Sequence, residues 1–253
     1  PCGATEVYKV GGASTIAAMG YGTETIPKVD VITGPGNIFV ATAKKMVCGE
    51  VNIDMIAGPS EIGILADESA NPSHMAIDLL SQAEHDEMAS SILITPSLKI
   101  AEAVQIEIEN WLQKLPRQEI ARKSIEERGA IIVTETMDEA VRLMNQIAPE
   151  HLEVATNSPF ELLPSIKHAG AIFLGHNTPE AIGDYVAGPN HTLPTGGTAK
   201  FYSPIGVENF MKKSSIIAFS KAAINEVGEA CALIANTEGL TAHEQSVRVR
   251  MSK

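Results

Sequence analysis

Six short apolar runs, each followed or preceded by a stretch of helical periodicity, constrain the fold more than any other feature of the chain. They are "VDVITG" (29–34), "EIGILAD" (61–67), "SSILITP" (90–96), "GAIIVTE" (129–135), "HLEVAT" (151–156) and "GAIFLG" (170–175). Strands covered on both faces read as continuous apolar runs, and strands that alternate with helices pair in parallel through crossovers. The expected fold is therefore α/β with largely parallel strands. Helix starts are marked at Asn71 before Pro72, and at Thr136 before "MDEAVRLMNQIA". At the beginning, "ATEVYKVGG" reads as a further strand running into a glycine turn, as if the chain started inside a folded unit. After residue 200 the pattern becomes largely helical with no strand to close another crossover, so a C-terminal helical tail used for packing or oligomerisation is expected.

With 253 residues, 44% of them hydrophobic, the chain can bury a substantial core. A formal net charge of -12, with basic residues scattered, argues against nucleic acid and for a small-molecule partner. No apolar run approaches the length of a bilayer span and no basic-then-apolar leader is seen, so no membrane association is expected. Cys2, Cys48 and Cys231 are odd in number and widely spaced, which suits neither a disulfide framework nor a thiolate metal site and points to a reducing cytoplasm.

The candidate chemistry begins in "LLSQAEHDEM". On a helix over 72–88, Met75, Leu79, Gln82 and His85 share one stripe while Asp78, Glu84 and Glu87 lie largely off it, so an apolar stripe ends in an amide and an imidazole. A lone histidine there is usually a hydrogen-bonded core residue, but side chains at i and i+3 can also converge on one metal. In "IAPEHLEV", Glu150 and His151 sit in a helix-to-strand turn where a general base could reach a cleft, or where a helix merely ends. Asp184 and His191 fall in what reads as a long Gly/Pro-rich loop, and Glu238 and His243 in the helical tail. Together these residues offer an oxygen and nitrogen ligand set suited to zinc or a similar divalent ion, with an acid and an imidazole left for proton transfer. No short zinc pattern such as HExxH is present. Of two glycine turns, "VGGAST" lacks the full dinucleotide fingerprint, while "GPGNIFVATAKK" leads a strand through Asn37 into a helix whose first N–H groups could receive a phosphate or ribose.

Read in order, "GGASTIAA", "GTETIPKVD", "GPGNIFVATAKK", "IDMIAGPSE", "DLLSQAEHD", "APEHLEV", "GAIFLG", "GDYVAGPNHTLPT" and "EGLTAH" closely resemble the histidinol dehydrogenase family over essentially the whole chain. The resemblance implies an α/β fold of incomplete doubly wound, Rossmann-like units with a C-terminal helical tail, and zinc- and NAD-dependent oxidation of L-histidinol through L-histidinal to L-histidine, the last steps of histidine biosynthesis. It implies one zinc per subunit, held by Gln82, His85, Asp184 and His243, with His243 reaching the neighbouring subunit's site in a homodimer. His151 is implied as general base in both oxidations and Glu150 as the base that activates water. Ser60 and Glu238 are implied as substrate contacts alongside Gln82, His85, His151, Asp184 and His243, and Asn37 as a cofactor contact. At Ser14 many members carry a glutamine that touches the dinucleotide, and serine is too short for that contact without a water or another cofactor pose. By the same resemblance, residues 1–60 are the remainder of an NAD-binding α/β domain, 61–203 the main α/β domain with the zinc and substrate site, and 204–253 the helical tail for dimerisation and partner-site contribution. Family chains extend further on the N-terminal side, so a truncated, non-catalytic fragment is one alternative. The others are a relative that oxidises another small alcohol, and a zinc hydrolase that would act without NAD.

Overall fold

The computed structural model describes residues 3–251, and the chain forms two compact units that part between Phe210 and Met211. The larger unit is organised around a five-stranded, all-parallel sheet of β3 (Glu61–Ala66), β4 (Ser90–Thr95), β5 (Gly129–Val133), β6 (His151–Ala155) and β7 (Ala171–Leu174), in the order β5-β4-β3-β6-β7. These are five of the six apolar runs. The sixth provides β1 (Val31–Ile32), which pairs in parallel with β2 (Asn52–Ile53) under α1 (Ala13–Tyr21) and α2 (Ile38–Val47). Ile16, Ile32, Val47 and Val51 form the small core there.

The central strand explains the absence of alternation in the sequence. In β3, Ile62, Ile64 and Ala66 point to one face, where they meet Met75, Leu79 and Leu80 of α3 (Pro72–Ala83) and Ile100, Val104 and Ile108 of α4 (Leu98–Leu112). Leu65 points to the other, beside Val141 and Met144 of α6 (Met137–Ile147). Between α4 and β5 lies α5 (Gln118–Arg128). Beyond β6, a short helix α7 (Pro159–Leu162) leads to β7, and α8 (Glu180–Tyr185) follows it. The chain winds outward from β3 to β5, then returns through α6 to the far side of β3. This reversal is the hallmark of a doubly wound sheet.

Buried beside the small sheet, Lys44 and Asp54 form an ion pair. Lys44 Nζ also donates to the Gly34 carbonyl at 3.0 Å, and Asp54 Oδ2 accepts the Gly34 N–H at 2.8 Å. One pair thus holds both main-chain groups of Gly34, whose φ of 116° only glycine adopts readily. This fixes the start of the GPGN turn.

The smaller unit is a helical hairpin of α9 (Lys221–Thr237) and α10 (Thr241–Arg248). Gly228 allows the close approach, since a Cβ there would come 2.7 Å from Met251 Sδ. Arg248 ties the two helices by pairing with Glu229 and Glu244 at 2.7 Å each.

Four sequence expectations are corrected. The strand expected in "ATEVYKVGG" is not formed: residues 3–10 are exposed and pair with no strand among the described residues, and a strand without a partner leaves its N–H and C=O groups to water. The helix expected to reach residue 88 ends at Ala83, because Asp86 Oδ1 accepts the Met88 N–H at 2.8 Å and folds the following residues into turns. Asp184 lies on α8 rather than in a loop. Apart from a 3-10 turn at Val207–Phe210, the tail is not helical until Lys221, and Ile216 and Ile217 before it are exposed. Cys2 lies outside the described residues, and Cys48 and Cys231 are free thiols.

Candidate active site

A cluster of chemically capable side chains lies at the amino-terminal edge of the five-stranded sheet, whereas open α/β sheets usually place ligands at the opposite, carboxyl edge. The reason is the path of α3. It leaves the carboxyl end of β3 and must return to the amino end so that Ser90 can pair with Glu61, and its last turn brings Gln82 and then His85 to that edge. There they meet the start of β6. Ala148, in a left-handed conformation at φ 54°, closes α6 and turns the chain so that Pro149 and Glu150 lead directly into His151.

Glu150 and His151 are both fixed by the main chain of one residue on the neighbouring strand. The Glu61 N–H donates to Glu150 Oε2 at 3.0 Å, and the Glu61 carbonyl lies 3.0 Å from His151 Nδ1. A carbonyl can only accept, so Nδ1 carries the proton and the neutral ring presents a bare Nε2. That nitrogen is buried without a hydrogen-bond partner, 3.7 Å from Asp184 Oδ1 and 4.0 Å from Glu180 Oε1. Both distances are too long for hydrogen bonds but short enough for strong electrostatic contact. Asp184 reaches this position because Gly183 lets α8 lie against Phe173, whose Cε1 would sit 2.6 Å from a Cβ at that glycine.

The carboxylates set the electrostatics. Burial pushes Glu150 up to about 7, against the pull of the His151 charge and the Glu61 N–H. Burial alone would lower His151, but Asp184, Glu150 and Glu180 together outweigh it and hold the imidazole up at about 9. Asp184 is held below the usual range by His151 beside it. Deeper in the sheet, Glu153 lies two residues beyond His151 on the same face of β6 and is raised well above the carboxylate range by burial and by Asp78 of α3. Burial likewise pushes Asp78 up to about 6. Although Asp78 is off the apolar stripe, it is half-buried and interacts with Glu153 of β6.

A cavity of about 780 Å³ opens over this cluster. Ser60, Gln82, His85, Glu150, His151 and Asp184 line it, joined by Asn37 from the GPGN turn and His191 from the loop after α8. No lysine or arginine is among its lining residues, while Asp86, Glu150 and Asp184 bring carboxylates to it. Such an excess of acid, beside histidine and amide donors, fits a cation. Among the described residues, ligand atoms of His151, Glu180 and Asp184 lie within 4.8 Å of one another. At the GPGN turn, Asn37 Oδ1 accepts the N–H groups of Phe39 and Val40, each at 3.1 Å. Two of the helix-start donors expected to face a phosphate are therefore already taken.

Comparison with known proteins follows the same lines. The sequence profile of the histidinol dehydrogenase family matches residues 1–251. The chain belongs to the histidinol dehydrogenase family. It is 83% identical over 252 residues to histidinol dehydrogenase of Sulfurimonas denitrificans, covering 100% of this chain and 59% of the relative. Against the Wolinella succinogenes enzyme the identity is 69% over 250 residues, covering 99% and 58%. The crystal structure of histidinol dehydrogenase from Elizabethkingia anophelis superposes with a TM-score of 0.92 at 41% identity, covering 98% of this chain and 57% of that one. The parallel five-stranded sheet with C-terminal helices is thus the family's fold, and the chain spans somewhat under three fifths of these relatives' length.

Of the residues singled out in the sequence, Asn37, Ser60, Gln82, His85, Glu150, His151, Asp184 and His191 share the one cavity. Ser14 is exposed in the first turn of α1 and is not among the cavity's lining residues. Glu238 and His243 belong to the helical unit, where they line a hollow of about 830 Å³ with Phe219, Val227 and Leu240. Sequence reasoning missed Glu61, Glu153 and Glu180. The signal for Glu180 was its position one helical turn before Asp184, and for Glu153 an acid inside a strand whose every residue is buried.

The site also depends on Gly170, where a Cβ would come 2.5 Å from the Glu150 carbonyl oxygen, 3.1 Å from Leu193 Cβ and 3.2 Å from Pro194 Cδ. Gly170→Ala is expected to lower stability by about 1–3 kcal/mol by overpacking against backbone. Urea unfolding checks this, and an unchanged midpoint would show that the Glu150 loop yields freely.

Proposed function

We propose that this chain carries the zinc and substrate site of an NAD-dependent histidinol dehydrogenase, which oxidises L-histidinol through L-histidinal to L-histidine. The observation that carries the reading is the clamp by Glu61: it presents His151 Nε2 to the cavity as a base and holds Glu150 beside it with a pKa near neutrality. Family membership supports the substrate and the two cofactors.

Gln82, His85 and Asp184 are the ligands for zinc from this unit, with His243 supplied by the helical unit of a second copy in a homodimer. Zinc would supply a Lewis-acidic anchor that orients the substrate, and NAD the acceptor for the hydride of each oxidation. His151 Nε2 accepts the hydroxyl proton of the alcohol as its carbon is oxidised. Glu150 then takes a proton from the water that attacks the aldehyde carbon, for which a pKa near the working pH is suited. His151 serves again as base when the resulting hydrate is oxidised to the acid. A cation on Asp184 would draw that carboxylate's charge away from His151 and add a like charge nearby. Both effects move the imidazole from about 9 toward the range a base needs. Holding both steps in one cavity keeps the aldehyde from escaping. Asn37 is assigned to the dinucleotide, and Ser60 and Glu238 to the substrate.

Metal removal tests the reading. Chelator-treated protein should form no NADH from L-histidinol, and added zinc should restore the reaction. Undiminished NADH formation after complete removal would overturn the zinc assignment.

A further inference from the structure

Glu180 is left without a role by the two-base scheme, yet it is among the least exposed charged residues in the chain, at 3%. Its main-chain N–H donates to Glu153 Oε1 at 2.7 Å, which fixes the start of α8 against β6. Its Oε2 accepts the Ser81 hydroxyl at 3.1 Å. The adjoining Gln82 amide is almost wholly buried, and the orientation that gives its nitrogen acceptors turns it to Glu180, 3.1 Å from Oε2 and 3.3 Å from Oε1. An amide nitrogen has no lone pair to give a cation; the carbonyl oxygen is the only donor atom a glutamine has for a metal.

We infer that Glu180 is a positioning residue that locks the Gln82 amide with its nitrogen inward, leaving the carbonyl oxygen as the atom offered to the cation. The assignment rests on the reading of the cavity as a zinc site. Without an acceptor at 180, the Gln82 amide can rotate by half a turn at no steric cost and present N–H groups, which repel a cation. Carboxylate groups that orient a ligand in this way typically change metal affinity by roughly 10–100-fold. Glu180 lies within reach of the same cluster as His151 and Asp184, so direct ligation is the competing role. Its contacts argue against that role, because the amide nitrogen of Gln82 faces both of its oxygens.

The test uses the full chain loaded with cobalt(II), reading the visible absorption of the bound ion and its affinity by competition with a chelator. Glu180→Met should weaken cobalt binding by roughly 10–100-fold. In a Gln82→Ala background the same change should weaken it by less than about twofold, because a residue that acts through Gln82 has nothing left to position. Glu180→Gln, which keeps a carbonyl acceptor for the Gln82 nitrogen, should recover most of the affinity and leave the cobalt spectrum unchanged. Equal losses in both backgrounds would overturn the inference. So would a cobalt spectrum altered by Glu180→Gln as strongly as by Glu180→Met, which would make Glu180 a ligand. Failure of the unsubstituted chain to take up cobalt would instead overturn the zinc reading of the cavity, and this assignment with it. Circular dichroism of the metal-free variants separates a folding defect from either result, since Glu180→Gln keeps the size and main-chain contacts of the original.

Discussion

Glu150→Gln should leave the oxidation of L-histidinol to L-histidinal nearly intact while slowing the oxidation of L-histidinal to L-histidine by ~10²–10⁴-fold, the usual contribution of one general base. The substitution keeps the shape of the side chain, and its amide carbonyl can still accept the Glu61 N–H that Glu150 Oε2 accepts at 3.0 Å. His151 therefore stays in place with its Nδ1 on the Glu61 carbonyl. What is lost is the group, pushed up to about 7 by burial, that can take a proton from water at neutral pH. The first step needs no water and should not notice. Removing the Glu150 charge also weakens the hold on protonated His151, which favours its basic form. Rates measured separately from L-histidinol and from L-histidinal, each with NAD, check the asymmetry. Equal slowing of both would mean that Glu150 acts through the position of His151 rather than on water.

The second large effect is expected far from any base. Lys44→Met should destabilise the chain by about 3–5 kcal/mol, because it leaves the Asp54 carboxylate buried without its cation. Asp54 would retain the N–H groups of Gly34 and Met55, but it would carry an uncompensated charge in a site with no solvent. The double change Lys44→Met with Asp54→Leu should cost less than the two single changes added together, since replacing both members of a buried pair removes the desolvation penalty as well as the attraction. Urea unfolding of the three variants decides it. A single-variant loss below about 1 kcal/mol would put Lys44 in the class of exposed pairs, contrary to its burial. The functional corollary is that the GPGN turn, with Asn37 at the cavity, would lose its anchor at Gly34.

Much of this architecture is legible in the residues themselves, for reasons that differ from one element to the next. Each of the six apolar runs contains a strand because parallel strands buried on both faces cannot alternate polar and apolar positions, and β6 is the clearest case. The start of α3 at Pro72 follows from Asn71, whose side chain accepts the Ser73 N–H at 2.9 Å. What stayed hidden depends on contacts between distant segments. The helix carrying Asp184 is six residues long and stands on tertiary support from Glu153 and Phe173, so the surrounding glycines and prolines read as loop. Glu180 opens that same stretch and was hidden with it. Lys44 resembled a surface lysine after a glycine turn, and its partner ten residues later became visible only when β2 was laid beside β1. Glu61 contributes through its main chain, which any residue other than proline could supply, so no side-chain pattern could have revealed it.

Family membership and the shared cavity lead to one quantity: the number of NADH molecules formed for each L-histidinol consumed at completion. It is best counted with zinc supplied and the Sulfurimonas denitrificans enzyme assayed in parallel. Two equivalents from the unsubstituted chain, falling toward one in Glu150→Gln as L-histidinal accumulates, is the result the account predicts. A single equivalent from the unsubstituted chain, or none while the relative yields two, would contradict the claim that these residues hold a two-step dehydrogenase site.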